Sequence, residues 1–187
     1  MKSITQTLNE ISNNFTSLAQ KSVPNIEEAT KVIVECLRNG GKIMFCGNGG
    51  SASNAQHLSA ELVGRYMKNR KPLASVALTT DTSIITAISN DLSFDNIFSR
   101  QVESIGSEGD ILYAISTSGK SQNIINAIKV AKKLNIKTLG ITGSDDSSFK
   151  KICDLVISVP ASRPDRIQEM HIAVGQIICE ILEEELC

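Results

Sequence analysis

The sequence predicts an α/β fold: a three-layer sandwich in which a five-stranded parallel sheet is covered by helices on both faces, of the flavodoxin-like kind. Two observations carry this. Five short apolar runs, at residues 42–47, 75–79, 110–116, 137–142 and 155–160, read as buried strands. They alternate with stretches of helical periodicity, and that order belongs to a parallel sheet whose crossovers are helices packed on either side.

The elements follow in order. Ile4, Leu8, Ile11, Phe15 and Leu18 recur at helical spacing, and Pro24 ends that helix. Asn25 with Glu28 resembles a capping box, opening a second helix that runs to about Asn39 before Gly40 and Gly41 stop it. These first 40 or so residues form a helical arm. The strand at 42–47 leads through the Gly-rich NGGSAS into a helix over 53–67. The strand at 75–79 is followed by helical stretches over 82–89 and 94–105. The strand at 110–116 passes through TSGKS into a helix over 121–134, and a long helix over 165–185 closes the chain.

The 187 residues suit one domain, residues 1–187, and bury a full core without staples. Aromatics are 4% with no Trp, so the core draws on Ile, Leu, Val and Ala. A net charge of −1 offers no basic footprint for nucleic acid, so a phosphate site would be built locally from amides and hydroxyls. Five widely spaced cysteines without a C-x-x-C argue against a disulfide framework and a Cys-based zinc site; most read as small buried hydrophobes in a reducing compartment. The start lacks the apolar segment of a signal peptide, and the apolar runs are far below ~18 residues. No membrane association and a cytoplasmic location are expected.

Ligands in parallel sheets sit at the carboxyl ends of strands, where two loops stand out: residues 46–51 (CGNGGS) and 116–121 (STSGKS). Each joins a strand to a helix start, where unpaired N–H groups and the dipole suit an anion. Such loops also cap helices without binding anything. Gly119-Lys120-Ser121 looks like the end of a Walker A loop, but Ala114 stands where that loop needs Gly. Gly47, Gly49 and Ala52 match a dinucleotide pattern, yet the acid expected ~20 residues on is missing, and Lys71, Pro72 and Leu73 occupy that region.

His57 and Glu61 share one helix face and can ligate one metal ion; a solvated pair has the same spacing. Gln168, His171 and Gln176 lie among apolar residues of the last helix, with both amides on roughly one side.

At these residues the chain resembles the phosphoheptose (sedoheptulose-7-phosphate) isomerases of the sugar-isomerase (SIS) domain superfamily. The stretches that carry the resemblance are CGNGGSASNAQHLSAEL, ISNDLSFDNIFSRQVE, ISTSGKSQN and DRIQEMHI, and it spans nearly the whole chain. It implies a SIS fold and conversion of sedoheptulose 7-phosphate to D-glycero-D-manno-heptose 7-phosphate through an enediolate, for lipopolysaccharide core or capsule. It implies phosphate binding by Ser116, Thr117, Ser118 and Ser121 with Ser51 nearby, and sugar contacts from Asn48, Gly49, Gly50, Asn90 and Asp91. Gln168 is implied in substrate binding as well. Glu61 takes the role of acid/base carboxylate. One Zn2+ per subunit is implied on His57, Glu61, Gln168 and Gln176, in a homotetramer with active sites near subunit boundaries.

One position departs. Many family members have an acid/base His where this chain has Gln176, and an amide has no proton to trade near neutral pH. Glu61 then shuttles the proton alone, or water or His171 helps. The rival expectations are a non-catalytic SIS-domain protein binding a partner such as the replication initiator, and a sugar-phosphate sensor. The first lacks a use for a carboxylate among metal ligands. The second usually carries a DNA-binding domain, for which the first ~40 residues give neither a basic face nor room.

Overall fold

The computed structural model describes residues 3–187, the side chain of Ser147 excepted. The strands are β1 (Ile43–Gly47), β2 (Ser75–Ala77), β3 (Ile111–Ile115), β4 (Lys137–Thr142) and β5 (Leu155–Ser158). They form one sheet in the order β2-β1-β3-β4-β5, and every pairing is parallel. The helices are α1 (Ile4–Lys21), α2 (Val23–Arg38), α3 (Gly50–Val63), α4 (Thr82–Asp91), α5 (Ser99–Ile105), α6 (Gln122–Lys133), α7 (Ser147–Lys150) and α8 (Pro164–Leu186).

Strand residues point to the two faces alternately and so divide the apolar residues between two cores. Ile43, Phe45, Ile111 and Tyr113 pack with Ile33, Leu58, Val174 and Ile178 of α2, α3 and α8. Met44, Cys46, Leu112 and Ala114 pack with Val102, Ile124, Ile128 and Phe149 of α5, α6 and α7. This is the expected three-layer arrangement. Cys36, Cys46, Cys153 and Cys179 are buried, and burial pushes the Cys36 thiol up to about 11 and those of Cys153 and Cys179 to about 12. Such thiols are inert near neutral pH. Among the described residues, no helix is long and apolar enough to cross a membrane.

Several local expectations are corrected. No capping box forms at Asn25 and Glu28: α2 starts at Val23, Pro24 sits in its first turn, and Asn25 donates to the Val156 carbonyl at 3.3 Å. Proline suits a first turn, whose N–H groups lack helical partners anyway. Pro24 therefore opens α2 as much as it follows α1. A capping box does open α1, between Ser3 and Gln6. α3 begins at Gly50 rather than 53, because Ser51 and Ala52 donate their amides to the Asn48 and Gly49 carbonyls at 3.0 Å. It ends at Val63 rather than 67, because the amides of Tyr66, Met67 and Lys68 turn instead to the Glu183 carboxylate.

His171 of α8 is 1% exposed and faces the Thr142 backbone at the end of β4. Neither ring nitrogen makes a hydrogen bond of normal geometry. Burial pushes its pKa down to about 4, against an unfolded value of about 6.5. Between those values the unfolded chain binds a proton that the folded chain refuses. Stability therefore falls as pH drops from ~6.5 to ~4, by roughly 3 kcal/mol in all. Urea unfolding across this window should show the loss in the wild type, and His171→Leu should flatten it; an unchanged slope would place its origin elsewhere.

Candidate active site

The sheet order reverses at β1, with β2 on one side and β3 on the other. From the carboxyl ends of β1 and β3 the chain leaves toward opposite faces, α3 to the first core and α6 to the second. A crevice opens between such diverging connections. Both Gly/Ser loops flank it. In the first, Gly49 has φ +55°, a conformation that side chains other than glycine rarely adopt. In the second, the Ser116 hydroxyl accepts from the Gly119 amide at 3.1 Å, and the Ser118 hydroxyl from the Lys120 amide at 3.2 Å. Ser121 stands at the N-cap of α6 with its hydroxyl not engaged in capping.

The two loops are unequal as anion seats. The first closes its own turn with the amides of Ser51 and Ala52, and Ser51 is buried. The second offers Ser121 at the head of α6. Thr117 and Ser118 also line a cleft of about 210 Å³ with Gly143 and Ser144. A reciprocal amide pair ties the loops together: Asn48 donates to Asn123, and Asn123 donates back, each at 2.9 Å.

The other predicted residues lie mostly along α3 and α8, which run side by side in the same direction. The Gln168 amide lies over Gly50, where any Cβ would collide with it. Asn54 donates to the Gln168 carbonyl at 3.3 Å. Further along, Leu58 seats directly on Gly175. Beyond that, the Glu61 charge reaches the Cys179 thiol. His57 Nε2 and Glu61 Oε1 are 2.9 Å apart, with the His57 side chain 50% exposed and that of Glu61 21%. Gln176 follows Gly175, half-buried and level with Leu58.

The structure thus joins His57 to Glu61 and sets Gln176 level with them on the neighbouring helix. Gln168 is eight residues before Gln176, ~12 Å along the helix axis, at the loop end of the crevice. Asn90 and Asp91 stand apart. They bond to each other at 2.8 Å at the exposed end of α4, and among the described residues no hydrogen bond joins them to either loop. No cluster of three or more His, Cys, Asp or Glu side chains able to hold a metal ion occurs among the described residues, so a metal here would need amide oxygens as well.

Sequence reasoning missed Asn123, although ISTSGKSQN contains it, because an asparagine at a helix start reads as an ordinary turn residue. It missed Arg70 and Glu183 for a different reason. Glu183 is one of three successive glutamates, and only the fold buries it.

Comparison with known proteins agrees with this architecture. Residues 7–143 match the SIS domain family model. The phosphoheptose isomerase of Rhodospirillum rubrum is 52% identical over 88% of this chain and 87% of its own. The solved phosphoheptose isomerase from Neisseria gonorrhoeae superposes with a TM-score of 0.90 at 39% identity, over 97% of both chains. That from Francisella tularensis gives 0.93 at 36% identity, over 97% of this chain and 96% of its own.

Proposed function

The chain belongs to the phosphoheptose isomerases of the SIS-domain family, and on that footing we propose that it converts sedoheptulose 7-phosphate to D-glycero-D-manno-heptose 7-phosphate for heptose biosynthesis in the cytoplasm. The observation that carries the chemistry is Glu61, a partly buried carboxylate whose side chain meets His57 rather than a fixed cation. Such a group can both take and give a proton. A protein that only binds a partner or senses a sugar phosphate has no use for it.

The phosphate binds at Ser116, Thr117, Ser118 and Ser121, with Ser51 behind them. Asn48, Gly49, Gly50 and Gln168 meet the sugar, and Asn90 and Asp91 join them on assembly. In the open-chain ketose Glu61 removes the proton from C1. The electron pair left behind forms the C1–C2 double bond, and charge collects on O2. The proton returns to C2 while the hydroxyl proton of O1 passes to O2, leaving the carbonyl at C1. Glu61 carries the carbon-bound proton alone. Gln176 has none to trade, and His171 is buried beneath β4 and neutral near pH 7.

The donor set fits zinc: an imidazole and a carboxylate already side by side, with amide oxygens on the next helix. His57, Glu61, Gln176 and Gln168 would hold one ion per subunit, Gln168 by leaving its contact with Gly50. Bound there, zinc would polarise a substrate carbonyl or orient Glu61.

A homotetramer completes the site. Glu61 lies eleven residues along α3 from Gly50, ~16 Å by helical rise. The active sites lie near subunit boundaries. Two exposed apolar surfaces provide the contacts: Ile4 and Leu8 of α1, and Ile84, Leu92 and Phe94 in and after α4, a helix with no buried residue. Apolar stripes of this kind call for cover.

Three measurements test the reading. Incubation with sedoheptulose 7-phosphate should yield the aldose phosphate by NMR, and Glu61→Gln should lower turnover by roughly 10²–10⁴-fold with the fold intact; activity within a few-fold of wild type would remove Glu61 from the mechanism. Zinc-loaded protein should hold one ion per subunit and His57→Ala markedly less; equal uptake would rule out His57 as a ligand. Light scattering should report a tetramer, which a monomer at micromolar concentration would contradict.

A further inference from the structure

We infer that Arg70 and Glu183 are positioning residues for Glu61, an assignment that rests on the role proposed for Glu61. Both side chains are almost wholly buried, 3% and 2% exposed, and Arg70 Nε donates to Glu183 Oε1 at 2.8 Å. The rest of the Arg70 fork is spent on backbone. Nη2 donates to the Glu61 carbonyl at 2.7 Å, and Nη1 donates to the carbonyls of Leu62 at 2.9 Å and Lys71 at 3.1 Å. The carbonyls of Glu61 and Leu62 lie in the last turn of α3, where no intrahelical donor remains for them. A cation there also complements the helix dipole.

Glu183 holds the other end of the assembly. Its carboxylate accepts from the amides of Tyr66, Met67 and Lys68 at 2.8–2.9 Å. Burial alone would raise its pKa, but those three amides and Arg70 hold it down at about 2. The segment 66–70 is thus wrapped around one charge on α8, and the Arg70 guanidinium ties the last turn of α3 to that charge. α8 also carries Gln176. The Arg70 fork therefore sets where Glu61 stands relative to its neighbours on α8. Stability alone does not require such a pair, since a buried ion pair can often be replaced by apolar residues at little cost.

Arg70→Lys separates positioning from folding. Lysine keeps the charge facing Glu183 but cannot reproduce the planar fork to the Glu61 and Leu62 carbonyls. The expected result is kcat lower by roughly 10- to 100-fold with KM within about twofold in protein that is still folded at the assay temperature, because small misplacements of reacting groups act on the chemical step. A kcat within about twofold of wild type would overturn the assignment. Should Arg70→Lys not fold, Arg70→Met/Glu183→Gln removes both charges together: a folded double variant with low kcat supports positioning, and one with restored kcat overturns it. If the wild type itself does not turn over sedoheptulose 7-phosphate, the proposed function falls. Hydrogen exchange of residues 61–64 still reads the anchor, with faster exchange in Arg70→Lys supporting it and unchanged exchange overturning it.

Discussion

The seating of Leu58 on Gly175 is the contact on which the site depends. A side chain at 175 would meet both methyl carbons of Leu58 at 2.5–2.6 Å, so α3 and α8 could not lie this close. Their proximity sets Gln176 level with His57 and Glu61, lays the Gln168 amide over Gly50, and brings Glu183 within reach of the chain that follows α3. Each residue that the proposed chemistry uses beyond the phosphate loops and the α4 end stands on one of these two helices. Protein interiors pack to crystal-like density, so the core sets the spacing of the two helices, and the Arg70 fork fixes the end of α3 against α8.

The sheet supplies the other half. Because β1 lies between β2 and β3, the connections after β1 and β3 must diverge, and the crevice follows from topology without any special residue. What sequence adds is chemistry at its lip. Gly49 supplies a positive φ, Ser121 supplies a hydroxyl at the head of α6, and the Asn48–Asn123 pair keeps the two loops in register.

Much of this was legible in the chain. Strands buried on both faces are short uninterrupted apolar runs, and β4 matches its expected span residue for residue. The loops were legible because two Gly/Ser runs join strand ends to helix starts at equivalent places in the sheet, where mere helix caps are a weaker account than for one loop alone. The reading failed where a local signal met a tertiary partner. Asn25 and Glu28 have the spacing of a cap, but Pro24 and the Val156 carbonyl decide the outcome. The far end of α3 is invisible locally, since Glu183 takes the amides that would extend it from more than 110 residues away. The exposed α4 escapes a single-chain reading as well: in the proposed tetramer its cover would come from another copy.

The proposed phosphate seat is made of hydroxyls, amides and a helix terminus, while nearby Lys120 is paired with Asp145 at the surface. In a protein of net charge −1 no broad positive field draws the anion in. Coulombic steering is what makes association fast and salt-sensitive, and neutral donors act only at contact. Capture of substrate at such a seat is governed by fit and desolvation, and it changes little with ionic strength. The same affinity for the sugar phosphate would then hold across shifts in ionic strength.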